Sequence, residues 1–155
     1  MRPDVEIFVR MKILMVCLGN ICRSPLAEGV LRHLAAARGL DWEIDSAGTG
    51  NWHVGHSPDH RAVKEARKNG VNISGLRGRQ FETADFDAFD RIYVMDRNNY
   101  TAVLRLARNE ADKQKVRFLL PEQQDVPDPW FDDALFAPVY KMIYKACECI
   151  AGEQQ

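Results

Sequence analysis

The chain has 155 residues, 46% of them hydrophobic and 28% charged, which suits one domain with a real core rather than two. Its net charge is −1, so no basic footprint points to DNA, RNA or an anionic membrane as partner. No apolar stretch is long enough to span a bilayer, and residues 1–10 hold neither a signal-peptide core nor a small-residue cleavage site, so no membrane insertion and a cytoplasmic location are expected.

Met11 leads directly into the first apolar strand. Residues 1–10 therefore read as an N-terminal extension, a tag or an upstream start, ahead of a single domain over residues 11–152. Lys12–Cys17 is an apolar run closed by a glycine turn, as in a fully buried parallel strand. Ser24–Arg38 carries Leu26, Val30, Leu31 and Leu34 at helical spacing, with Pro25 at the first helical position and Gly39 just past the end. Trp42–Asp45 reads as a second strand entering a loop, Ser46-Ala-Gly-Thr-Gly50. A helix is expected from Ser57-Pro-Asp59 to Lys68, a strand over Arg91–Met95, a helix near Asn98–Arg108 and a strand over Val116–Leu120. After the loop Pro121–Asp132, a last helix from about Ala137 places Val139, Met142, Ile143, Ala146, Cys147 and Ile150 on one face, with Pro138 in its first turn. Strands alternating with helices predict right-handed βαβ units and an α/β fold with a parallel sheet covered on both faces. Ligands of such sheets bind beyond the carboxyl ends of the strands.

The loop leaving the first strand at that end is Cys17-Leu-Gly-Asn-Ile-Cys-Arg-Ser24. Gly19 permits close backbone approach and Asn20 tolerates a left-handed conformation, so the loop can curl. Amides from Leu18, Gly19, Asn20, Ile21, Cys22 and Arg23 then point at an oxyanion, beside the positive end of the next helix. Arg23 offers a planar fork to two phosphate oxygens. Cys17 is the candidate nucleophile. A free thiol is only a few per cent thiolate at neutral pH, and a helix terminus contributes at most about 2 kcal/mol towards ionising it. Arg23 and the loop amides are needed for the rest. Ser24 can donate its hydroxyl to the sulfur.

A phosphate ester also needs a proton for its leaving oxygen, and a carboxyl from another loop is the usual donor. Asp125, Asp128, Asp132 and Asp133 cluster in Gln124-Asp-Val-Pro-Asp-Pro-Trp-Phe-Asp-Asp133. Asp128 stands between Pro127 and Pro129, which restrict its backbone. Trp52 and Trp130 are candidate cleft walls for an aromatic substrate. Taken alone, a Pro-rich acidic loop is more often a solvated connection. Of the remaining groups, Cys147 and Cys149 read as small residues in a buried helix. The four cysteines lack zinc spacing, so no metal is expected. His33, His53, His56 and His60 show no pairing along the chain and receive no catalytic role.

With both loops in hand, the chain resembles the low-molecular-weight protein tyrosine phosphatases. Val16-Cys-Leu-Gly-Asn-Ile-Cys-Arg-Ser-Pro25 resembles the family's phosphate loop and Asp128-Pro129 its general-acid loop. Ser46-Ala-Gly-Thr-Gly50, Trp52-His-Val-Gly-His-Ser-Pro-Asp59, Arg79-Gln80 and Val94-Met-Asp96 match further family segments in order. The resemblance implies a flavodoxin-like three-layer sandwich with a four-stranded parallel sheet and a two-step mechanism. In it Cys17 attacks phosphorus, Arg23 stabilises the transition state and Asp128 serves as acid, then base, without a cofactor. It further implies that Asn20, Ser24 and Ser46 hold the loop through hydrogen bonds, and that the substrate is a phosphotyrosine protein or another aryl phosphate. Cys22 matches the second loop cysteine, implying a reversible disulfide with Cys17; a small buried filler is the alternative. Three features are this chain's own. Leu76 stands where many members have histidine, and Trp130 and Phe131 stand where members often carry tyrosines. A phosphoarginine phosphatase or an arsenate reductase of the same fold remains the rival, although apolar Ile21 suits a flat ring better than a guanidinium.

Overall fold

The computed structural model describes residues 10–153. The expected extension over residues 1–10 therefore lies outside the described residues, apart from Arg10, which pairs with Asp41 and Glu43. Strands β1 (Lys12–Cys17), β2 (Glu43–Gly48), β3 (Arg91–Val94) and β4 (Val116–Phe118) form a parallel sheet in the order β2-β1-β3-β4. β1 lies inside the sheet, which explains its apolar run. Ile13, Met15 and Cys17 face one layer, made largely by α1 (Arg23–Ala37), α2 (His60–Lys68) and α6 (Phe136–Gly152). Leu14 and Val16 face the other, with Phe86 of α3 (Asp85–Ala88) and Val103 of α4 (Arg97–Leu104). This two-residue alternation covers the sheet on both faces, as the chain pattern predicts, and builds the flavodoxin-like three-layer sandwich that the resemblance implies. Each fully buried aliphatic side chain, such as Leu26 or Ile143, contributes about 1.5–3 kcal/mol through removal from water.

The strand order reverses beside β1, since β2 lies on one side and β3 on the other. The loop after Cys17 opens at that switch point. The chain leaving β4 folds back over the same end: Leu119 N donates to Val94 O at 2.9 Å and Val126 N to Met95 O at 2.7 Å. Residues far apart in sequence thus converge over one end of the sheet.

Several expectations are corrected. Ser46–Gly48 is strand rather than loop, because all six residues of β2 pair with β1, Lys12↔Glu43 through Cys17↔Gly48. β4 stops at Phe118. Helix α1 begins at Arg23, so Pro25 is its third residue. α3 and α5 (Glu110–Gln114) are too short to display a helical period and were not expected. Met142 and Cys149 are exposed on α6 while Cys147 is fully buried. Residues two apart on a helix point about 200° from one another, so Cys147 and Cys149 cannot share a face.

Candidate active site

The loop after β1 curls as its sequence predicts. Asn20 has φ 58°, and its amide donates to Cys17 Sγ at 3.2 Å. Ser24 Oγ lies 3.0 Å from the same sulfur. Asn20 Nδ2 donates to Ser24 Oγ at 2.8 Å, which leaves the serine hydroxyl proton free to point at sulfur. No side chain caps the N-terminus of α1 at Cys22. The first amides of this helix of 15 residues therefore remain aimed into the loop, as an oxyanion site needs.

Asn20 is the hub of a buried network. Its Nδ2 also donates to Ser46 Oγ at 3.0 Å, and Arg79 N donates to its Oδ1 at 3.0 Å. Ser46 Oγ in turn donates to Glu28 Oε1 at 2.6 Å. Glu28 is 2% exposed and pairs with Arg32. Burial raises its pKa, against the Ser46 bond and the Arg32 charge. Folding thus holds the Glu28 proton more tightly than the unfolded chain does, and this group takes stability away as pH rises through its raised value. Truncation at Glu28 leaves the buried Ser46 hydroxyl proton without its acceptor. Glu28→Ala is expected to cost about 1–3 kcal/mol, a fall of several degrees in Tm by calorimetry. Glu28→Gln, whose carbonyl still accepts from Ser46, should lose less.

Arg23 is buried as well. Its Nη1 donates to Asp96 Oδ2 at 2.7 Å and to Val126 O at 2.8 Å, and its Nη2 stands 3.8 Å from Asp128 Oδ2. Asp96 meanwhile caps α4 by accepting from Asn99 N. Burial alone would lower the Arg23 pKa; the charge at Cys17, the Asp96 bond and the Asp128 charge hold it above its ordinary value. Cys22 behaves oppositely. Burial, then the charges of Asp59, Cys17 and Asp128, push its thiol far up, so it is a neutral thiol at physiological pH.

A cavity of about 280 Å³ lies over this loop. Cys17, Leu18, Gly19, Ile21, Cys22 and Arg23 line it, facing Trp52, Asp128, Trp130 and Phe131. Asn20, Ser24 and Ser46 stand behind it as supports. Trp52 is 64% exposed and its indole covers Gly50, where an added Cβ would fall 1.9 Å from the ring. Trp130 N donates to Asp128 Oδ1 at 3.1 Å, which fixes the carboxylate at the cavity edge. The family-matched His position is Leu76, which packs against the core instead.

Three participants were not legible as site residues in the sequence. Glu28 and Asp96 act behind the loop through partners far along the chain. Arg61 is the third. Its guanidinium binds Asp59, donates to Trp130 O at 3.1 Å and to Asp133 Oδ1 at 2.6 Å, and lies over the Trp130 ring. Asp59 N donates to Ile21 O at 2.8 Å. A strap thus runs from the phosphate loop through Asp59 and Arg61 to the acidic loop. The histidines are also corrected: His53 and His56 are paired, and His53 lines the cavity.

The sheet order and the loop beyond β1 define a flavodoxin-like α/β protein built around a thiol, a buried cation and an uncapped helix. The family described as low molecular weight phosphotyrosine protein phosphatase matches residues 12–154, and the chain belongs to it. A Bacillus subtilis relative, low molecular weight protein-tyrosine-phosphatase YfkJ, is 38% identical over 149 residues, covering 92% of this chain and 95% of its own. Vibrio vulnificus Wzb, solved in complex with benzylphosphonate, superposes with a TM-score of 0.84 at 29% identity, covering 92% of this chain and 98% of its own. Drosophila arginine phosphatase superposes with a TM-score of 0.86 at 33% identity, covering 94% and 98%. Among the described residues no helix is long and apolar enough to cross a membrane.

Proposed function

We propose that the chain hydrolyses phosphotyrosine in proteins, through a phosphocysteine at Cys17, with the single domain of residues 11–152 as the working unit in the cytoplasm. The observation that carries this reading is the meeting of Cys17, Arg23 and Asp128 at one cavity, with Arg23 Nη2 3.8 Å from Asp128 Oδ2. The phosphoryl group sits on the loop amides and the free edge of Arg23. The Cys17 sulfur attacks phosphorus, the bond to the phenolic oxygen breaks, and Asp128 supplies that oxygen's proton. Asp128, now a carboxylate, takes a proton from water as the water attacks phosphorus. Inorganic phosphate leaves and the Cys17 thiolate returns, with Ser24 donating to it. Loop amides and Arg23 bear the transferred charge in both steps.

Trp52, Trp130 and apolar Ile21 favour an aryl ester, in keeping with the benzylphosphonate complex of the Vibrio protein. A phosphoarginine substrate has support from the arginine phosphatase neighbour, but the cavity offers Ile21 where a guanidinium would want polar partners. An arsenate reductase would need a thiol relay, and neither Cys147 nor Cys149 lines the cavity. Wild-type turnover of p-nitrophenyl phosphate, phosphotyrosine peptide and phosphoarginine, with arsenate reduction in parallel, separates these readings. Preference for the tyrosyl ester supports the proposal; arginine preference or arsenate reduction overturns it. In the same reading a peroxide takes the Cys17 thiolate to a sulfenic acid. Cys22, on losing its proton, attacks that sulfur, so that the S–O bond breaks, water leaves and a disulfide remains that a thiol reductant reverses.

Arg61 acts as a positioning residue for Asp128. Arg61→Ala should lower kcat about tenfold to a hundredfold for phenols that leave poorly and little for phenols that leave well. Comparing two aryl phosphates of different leaving ability in the variant checks this. Arg61→Lys should rescue incompletely, because a lysine lacks the fork that spans Asp59 and Asp133.

A further inference from the structure

Between β2 and α2, the segment His53-Val-Gly-His56 carries two imidazoles that phosphoryl transfer leaves unused. Their Nδ1 atoms are 3.2 Å apart, with ring centroids at 5.4 Å and planes at 60°. The turn beneath them is pinned. His56 N donates to His53 O at 3.0 Å, Gly55 N to Gly78 O at 2.8 Å, and Gly78 N to His56 O at 2.9 Å. A Cβ at Gly78 would lie 2.4 Å from the His53 carbonyl oxygen, so the glycine is what admits this close approach. The two rings are therefore presented by a fixed backbone.

We propose that His53 and His56 form a site for one divalent ion of the zinc, nickel or copper type, at the mouth of the oxyanion cavity. Metal–imidazole bonds of about 2.0–2.1 Å to nitrogens 3.2 Å apart subtend an angle of about 100° at the ion. That value lies between octahedral cis and tetrahedral geometry. Among the described residues no third His, Cys, Asp or Glu joins the pair. The ion's other positions stay open to water or to an acidic side chain of a phosphoprotein. It takes no part in phosphoryl transfer.

The protons balance without net release. In the free chain one Nδ1–H donates to the other Nδ1. On the ion both Nδ1 atoms are ligands, so the donating ring moves its proton to Nε2 and both rings remain neutral. The Cδ2–Nε2 edge of His53 lies against the phosphate loop: a Cβ at Gly19 would stand 3.2 Å from Cδ2 and 3.9 Å from Nε2. The ion therefore fixes an N–H donor on the edge turned to the cavity and adds positive charge beside it. A bound oxyanion and the ion strengthen each other's binding, and by linkage the factor is the same from either side. This coupling, unlike the metal site, rests on the reading of the cavity as an oxyanion site.

The test uses the untagged full chain carrying Cys17→Ser, since a thiolate is itself a metal ligand, and Ni²⁺ as probe, since nickel suits imidazole. Calorimetry should find an ion site whose affinity falls about tenfold or more in His56→Gln and in His53→Gln. Saturating Ni²⁺ should tighten inorganic phosphate binding about fivefold or more, and His56→Gln should remove that gain. An absence of Ni²⁺ binding, or equal affinity in the histidine variants, overturns the site. Phosphate binding left unchanged or weakened by Ni²⁺ overturns the coupling. Wild-type turnover of an aryl phosphate with a chelator present reports on the phosphatase reading separately, and its failure would leave the Ni²⁺ affinities standing.

Discussion

Cys17→Ser is expected to abolish aryl phosphate turnover, by about 10⁴-fold or more, while the variant still binds inorganic phosphate. The two outcomes separate because different atoms carry them. Attack needs the sulfur, held by Asn20 N at 3.2 Å and Ser24 Oγ at 3.0 Å. Binding needs the loop amides and Arg23, whose guanidinium is fixed from behind by Asp96 and Val126 O. Serine is close enough in size to leave that cradle in place, and its hydroxyl is a poor nucleophile without a base beside it. Steady-state kinetics with phosphate binding by calorimetry checks both halves. A variant that loses binding as completely as turnover would mean that the sulfur shapes the cradle rather than reacting in it.

The second large effect is expected at Asp128. Asp128→Ala should lower kcat by about 10²–10⁴-fold for substrates whose phenol leaves poorly, the range general acid catalysis supplies. The loss should shrink for an activated phenol such as p-nitrophenol, which departs without a proton. Binding should be kept, because Asp128 stands at the cavity edge and touches Arg23 only at 3.8 Å. Measuring kcat across a series of substituted phenyl phosphates reads this directly. A uniform loss across the series would show that Asp128 orders the loop but donates no proton.

The site was legible where its parts are contiguous. Cys17 to Ser24 announces itself because a strand, a left-handed Asn and a helix start must follow one another within a few residues, and each has its own signature. Asp128 stands out only through the resemblance, because Pro127 and Pro129 alone mark a loop that is more often a solvated connection. What the chain hides is whatever sequence distance separates. Glu28 looks like any helix glutamate, yet the fold buries it against Ser46. Asp96 looks like a helix cap, which it is, and its second oxygen holds Arg23 only because β3 lies beside β1. Arg61 sits just past a recognisable motif, but its contacts to Trp130 and Asp133 exist only once the acidic loop has folded back. The extra strand residues Ser46–Gly48 were lost for a similar reason: their small side chains carry no strand signal, and pairing with β1 makes them strand. Cys149 was misplaced because its neighbour Cys147 suggested a shared environment that helix geometry forbids.

The central claim is that Cys17 carries the phosphoryl group between the two halves of the reaction. It is tested most directly by mixing wild-type chain with an excess of aryl phosphate, quenching in acid within the first turnovers, and locating phosphate by mass spectrometry of the digested protein. The account predicts phosphate on the peptide spanning Cys17, attached through sulfur, with more of it in a variant slowed in the second step such as Asp128→Ala given an activated phenol. Turnover that proceeds with no phosphate on any cysteine, or with phosphate on Cys22 instead, would contradict it.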